Sequence, residues 1–217
     1  MPPDDLAQLR RRAATCTACD LHLHASQTVF GEGASRARLV LVGEQPGDRE
    51  DREGHPFVGP AGGVLDRALD QAQIRRDQVY LTNAVKHFKW EPRGKVRIHK
   101  KPNAAEVRAC APWWRAELAA IDPTLVVALG ATAAQAMLGS KVRVTRDRGV
   151  VLPGAADGFD ALVTLHPSAI LRATDDARSE LYEQLVRDLR VAAAAAGVRT
   201  DATASGARPR PRRRAKE

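Results

Sequence analysis

Four short apolar runs punctuate the chain. Arg38-Leu39-Val40-Leu41-Val42-Gly43 comes first, then Val79-Tyr80-Leu81-Thr82-Asn83-Ala84-Val85, then residues 124–129 and 161–165. Runs of this kind bury in a parallel sheet. Between them the pattern is helical. Residues 4–14 place Leu6, Leu9 and Ala13 on one face. Residues 60–72 open on Pro60, a favoured residue in a first turn. Residues 103–120 open on Asn103-Ala-Ala-Glu106, in which Asn accepts from the backbone and Glu reaches back. Further helices are predicted over 131–138 and 175–196, whereas residues 43–63 hold too many Gly and Pro breakers for regular structure, and residues 86–102 read as a loop crowded with Lys, Arg and His. Strands alternating with helices predict an α/β fold, a three-layer α/β/α sandwich with a mainly parallel four-stranded central sheet. No internal repeat is present. The organisation is one domain over residues 1–198, then a tail over 199–217, rich in Ala, Pro, Gly and Arg, that is expected to be disordered.

Composition narrows the class. At 217 residues and 44% apolar, the chain is long enough for one α/β domain and can bury a core. No apolar run approaches the ~20 residues of a membrane span, and no signal-peptide pattern opens the chain. Three cysteines are too few, and odd in number, for a disulfide scaffold. A cytoplasmic, nucleoid-associated monomer with reduced thiols and no membrane partner is expected. The net charge is +8, of which the last nineteen residues supply +5, so the basic character belongs mostly to the tail. Its Arg208-Pro-Arg-Pro-Arg-Arg-Arg214 reads either as a nonspecific nucleic-acid arm or as a solubilising terminus.

In a sheet of this type ligands bind beyond the carboxyl ends of the strands. Three unusual segments follow strands directly: Gly43-Glu44-Gln45-Pro46-Gly47-Asp48, Asn83 with its following loop, and His166-Pro167-Ser168. Each alone is a turn; three at one sheet edge point to a shared site. The first, extended through Phe57 to Gly62, resembles the first motif of the family-four uracil-DNA glycosylases, the iron–sulfur branch of that superfamily. His166-Pro-Ser-Ala-Ile-Leu-Arg172 is similar to the second motif. The resemblance spans roughly residues 14–196 and implies that a flipped uracil stacks on Phe57 and is read by Asn83, whose donor and acceptor match uracil and not cytosine. His166 would donate to the charge developing on uracil O2, in the manner of an oxyanion-hole donor. Glu44 and Asp48 would face the positive sugar or orient water. Gly43, Ser168 and Arg172 join the substrate-binding set.

Cys16-x-x-Cys19 alone is ambiguous between zinc, redox and iron–sulfur uses. Family four employs four cysteines, and where its third stands this chain has His87. The resemblance therefore implies a [4Fe–4S] cluster on Cys16, Cys19, His87 and Cys110, with a structural role. A Cys3His zinc site would satisfy the same donors.

Three departures from family four resemble the UdgX subgroup: Gln45 after the motif glutamate, His87 at the metal position, and the basic loop Lys95-Val96-Arg97-Ile98-His99, which matches Lys-Arg-Arg-Ile-His except at Val96. In that subgroup the loop histidine attacks the sugar C1′ and stays bonded. Carried over, His99 is the nucleophile, Glu44 stabilises the imidazolium, Gln45 positions the histidine or excludes water, Arg97 anchors the loop or a phosphate, and Lys95 contacts DNA. The expected partner is uracil-containing DNA, preferably single-stranded, and the expected outcome is single-turnover capture. The rival readings are a multiple-turnover hydrolytic glycosylase in which His99 only meets phosphate, and a noncatalytic nucleic-acid-binding zinc module.

Overall fold

The computed structural model describes residues 5–198; the basic tail expected over residues 199–217 lies outside them. In chain order the elements are α1 (Leu6–Ala13), β1 (Glu32–Gly33), β2 (Leu39–Gly43), α2 (Asp48–Glu53), α3 (Pro60–Gln71), β3 (Val79–Asn83), β4 (Trp90–Arg93), β5 (Val96–His99), α4 (Ala104–Ile121), β6 (Leu125–Leu129), α5 (Gly130–Leu138), α6 (Val144–Asp147), β7 (Val151–Ala156), β8 (Phe159–Thr164), α7 (Pro167–Arg172) and α8 (Asp175–Ala196). A short 3-10 turn, Asp20–Leu23, follows the two N-terminal cysteines.

The four apolar runs form the parallel centre of the sheet, β3-β2-β6-β8. The sheet has six strands rather than the expected four, because β1 and β7 add antiparallel edges. Neither edge carries an apolar run: β1 is two residues long and β7 contains Pro153 and Gly154, so hydrophobicity alone does not reveal them. Alternation divides the core. Leu39, Leu41, Leu81, Val127 and Leu162 pack with α3 and α8, while Val40, Val42, Tyr80, Val126 and Val163 pack with α4 and α5. This is the expected three-layer sandwich.

Local rules explain the helix ends. Asn103 Oδ1 accepts the Glu106 N–H at 2.9 Å and Glu106 Oε2 accepts the Asn103 N–H at 2.7 Å, the reciprocal cap read from the sequence. Residues 43–63 are not wholly irregular. Asp48–Glu53 closes into α2, helped by the Asp48–Arg52 and Arg49–Glu53 pairs and ended by Gly54 at φ +81°. The expected loop over residues 86–102 likewise contains a hairpin, with Trp90 opposite His99 and Arg93 opposite Val96. Its two-residue turn is Gly94-Lys95, with Gly94 at φ +59°.

Candidate active site

Strands β2 and β3 end side by side, with Gly43 and Asn83 in register. Asn83 is buried, and the Lys86 ammonium donates to its backbone carbonyl at 3.0 Å. That ammonium is fully buried and paired with Glu117, which also accepts from Tyr80, Thr82 and the Gly31 N–H. Phe57 reaches the same corner from the loop after α2. A Cβ added at Gly43 would lie 2.4 Å from Asn83 Oδ1 and 2.7 Å from the Phe57 ring, so only glycine allows the amide and the aromatic face to converge there.

Parallel strand β8 brings His166 to the same edge, its ring centroid 6.3 Å from that of Phe57. His166 caps α7: its Nδ1 accepts the Ser168 N–H at 3.1 Å and lies 2.8 Å from Ser168 Oγ. An Nδ1 that accepts leaves the proton of a neutral ring on Nε2. Burial, with the charges of Arg172 and His99 adding to it, pushes the His166 pKa down to about 4. His166 is therefore a neutral Nε2–H donor at physiological pH. Gly130, at φ +86°, makes room for it; a Cβ there would stand 2.8 Å from His166 Cβ. Arg172 donates to Ser168 Oγ at 3.1 Å.

The hairpin supplies the opposite side. His99 Nε2 stands 3.4 Å from Glu44 Oε1, and the Thr132 hydroxyl donates to the other oxygen of that carboxylate. Burial lowers the His99 pKa; Glu44 opposes that shift and Arg172 adds to it. Two clamps hold the hairpin. Gln45 donates to the Lys89 and Lys100 carbonyls, 3.2 and 3.0 Å away, and accepts the Lys89 N–H. Arg97 engages Asp48 and donates to Asp51 at 2.6 Å, with its guanidinium over Phe88 and Trp90. Arg97 and Asp48 are thus paired with each other: Arg97 stands as the anchor of the loop, and Asp48 is turned to Arg97 and Arg52. Lys95 is exposed at the hairpin turn.

Residues 30–190 match the uracil DNA glycosylase superfamily. The chain belongs to that superfamily. Among its relatives is a type-4 uracil-DNA glycosylase of Thermotoga maritima, 40% identical over 74% of this chain and 80% of its own length. Others are type-4 uracil-DNA glycosylases of Pyrobaculum aerophilum, 34% identical over 77% of this chain and 85% of the relative, and of Archaeoglobus fulgidus, 32% identical over 86% and 91%. The superfamily match takes in Gly43, Glu44, Phe57, Asn83, His99 and His166; Cys16 and Cys19 precede it.

In this superfamily member the three cysteines share one neighbourhood. Cys110 packs with Leu21 and Val85 in a small apolar cluster that Cys19 borders. Each sulfur receives an N–H: Cys110 from Lys86 at 3.2 Å, Cys16 from the Trp113 indole at 3.1 Å, and Cys19 from the Leu21 backbone. Burial, reinforced by the charges of Cys19 and Cys16, pushes the Cys110 thiol up to about 11. His87 contacts Thr28 Oγ1 at 2.9 Å through Nε2. Thr28 donates its only proton to the Ala13 carbonyl, so Nε2 carries the imidazole proton and Nδ1 keeps a free lone pair. Among the described residues no three His, Cys, Asp or Glu side chains are closed around a common metal position.

Sequence reasoning missed Thr132, Asp51, Phe88 and Trp90. Thr132 had a usable signal: Gly130-Ala-Thr132 directly follows the third parallel strand, at the same sheet edge as the other segments.

Proposed function

We propose that this chain excises uracil from DNA, single strands in preference, and captures the resulting sugar on His99. The observation that carries the reading is the His99 imidazole beside Glu44, at the open side of the corner formed by Gly43, Phe57, Asn83 and His166. A uracil flipped out of the strand stacks on Phe57, and the Asn83 amide meets its N3–H and O4. The C1′–N1 bond breaks with its electron pair leaving on uracil. The His166 Nε2–H donates to O2 of that anion without being charged itself. Glu44 faces the positive sugar. A lone pair of neutral His99 then bonds to C1′, and the carboxylate stabilises the imidazolium until the ring's remaining N–H proton is lost. The departed uracil takes a proton from solvent. An N-alkylated imidazole is a poor leaving group, so the protein acts once; no partner subunit is needed for this step, and the protein is proposed to act as a monomer. This is the UdgX pattern, and Gln45, His87 and the basic hairpin belong with it. Arg93 and Lys95 at the hairpin turn and Lys101 just beyond it supply charge to attract phosphates of an unpaired strand, while Lys100 is paired with Glu91.

A [4Fe–4S] cluster would be held by Cys16, Cys19, Cys110 and His87, and the N–H groups aimed at the three sulfurs support thiolate ligation there. Such a cluster would tie the N-terminal segment to the chain after Asn83, a structural service.

The test is a denaturing gel after incubation with a uracil-containing single-stranded oligonucleotide. Wild type gives a shifted, denaturant-stable band; His99→Ala gives none while still releasing uracil. Abasic product formed over many turnovers, without the band, assigns the protein to conventional hydrolysis.

A further inference from the structure

We propose that Glu50 is a positioning residue for base recognition: its carboxylate staples the two ends of the loop that presents Phe57, and so sets the slot that receives the pyrimidine. This rests on the uracil-excising function proposed above. Glu50 lies in α2 and is only 7% exposed. Its Oε1 accepts the Gly59 N–H at 2.8 Å, and its Oε2 accepts the Gly47 N–H at 3.1 Å. Gly47 and Gly59 are the residues that cap α2 and α3, so one side chain joins the starts of two helices across twelve residues of chain. Both bonds run from amides to an ionised acceptor, the stronger class of hydrogen bond.

Phe57 sits between the stapled ends in a conformation that a bulky residue rarely adopts, φ +57°. Such a conformation persists where the surroundings over-determine it. On one side Phe57 is seated on α3: a Cβ on Gly62 would lie 1.8 Å from the Phe57 carbonyl oxygen. On the other its ring abuts Gly43 beside Asn83. The staple closes the remaining freedom of the loop. His166, the donor to the departing base, is carried by β8–α7 and does not hang from it, whereas the hairpin of His99 is tied to α2 through Arg97. Loosening Glu50 therefore weakens base binding more than it slows bond cleavage.

Two variants reach the staple from different sides. Glu50→Gln keeps the shape but presents an amide NH2 to one of the two N–H donors. Gly47→Ala is free of backbone strain at φ −89°, and its Cβ would stand 2.6 Å from Glu50 Oε2, displacing the carboxylate. Single-turnover reaction is measured against uracil-oligonucleotide concentration, with free uracil as a competitive probe. In both variants the half-saturating concentration and the uracil inhibition constant rise about tenfold, the effect of losing a hydrogen bond to a charged group. The maximal rate stays within about threefold of wild type. A residue serving stability alone would reduce the active fraction and lower Tm while leaving both constants at wild-type values, and that result overturns the proposal. Should Glu50→Gln fail to fold, unchanged constants in Gly47→Ala overturn it equally. A wild type that releases no uracil overturns the functional reading itself, whereas an active wild type with unaltered variants overturns only the role of Glu50.

Discussion

Asn83, at the end of a core strand, and Phe57, on the loop beside it, are 3% and 5% exposed, whereas the His99 side chain keeps 48% of its surface open on a two-stranded hairpin. The first region inherits the placement of Asn83 and His166 from the sheet, with Phe57 added from the loop that Glu50 holds. Gly43 and Asn83 are in register because β2 and β3 are, and His166 arrives because β8 is parallel to them. The second region is outside the main sheet and depends on side chains, Gln45 at its base and Arg97 along its length. On the function proposed above, the pocket would read the base and the hairpin would capture the sugar; held by different means, the two can be disabled separately.

The largest separable effect falls on the buried side. His166→Ala removes the donor to the leaving uracil, and uracil release slows by about 10²–10³-fold, measured as free base per protein in a single turnover. Capture falls with it, since no sugar cation forms. Next is Arg97→Ala, which strikes the arm. Adduct yield falls about tenfold through loss of charge-assisted bonds, while uracil release per folded molecule stays near wild type. Asp51, whose side chain is fully buried, loses its cation, so stability drops by about 3–5 kcal/mol and Tm falls with it. Equal losses of release and capture in this variant would erase the distinction between the two regions.

The smallest effect is in pH. The His99 pKa is lowered from 6.5, so the ring is mostly neutral above pH 6.5 and protonates only below it. Adduct formation is flat above that point and is reduced less than about fourfold at pH 6. His166, pushed down to about 4, stays neutral through the same range, so release shows no matching limb. The unfolded chain takes up a proton at His166 near pH 6.5 while the folded chain resists until about 4, so this contribution is lost as pH falls through that window.

The pocket was far more legible in the sequence than the arm. Continuous apolar runs mark β2, β3, β6 and β8 because both faces of each are covered, and polar residues directly after such runs stand out. The hairpin was hidden for the opposite reason. Its strands bury little, Pro92 breaks the strand pattern, and a crowd of charges resembles a solvated loop; the alternation Val96-Arg97-Ile98-His99 after Gly94-Lys95 was its only mark. The partners of Arg97 were also beyond reach, since Asp48 and Asp51 lie 49 and 46 residues away in sequence and only folding brings them together. Asp48, read as a group facing the sugar, is instead turned toward guanidinium groups. For His87 the residue type was visible, but its Thr28 contact, which fixes the ring proton, depends on the path of residues between α1 and β1.

Peptide-resolved mass spectrometry of the chain after reaction with a uracil-containing single-stranded oligonucleotide tests the capture claim most directly. The account predicts one modified peptide, with the sugar remnant on His99 and one uracil released per protein. An unmodified His99 alongside abasic product in large molar excess over protein would contradict it.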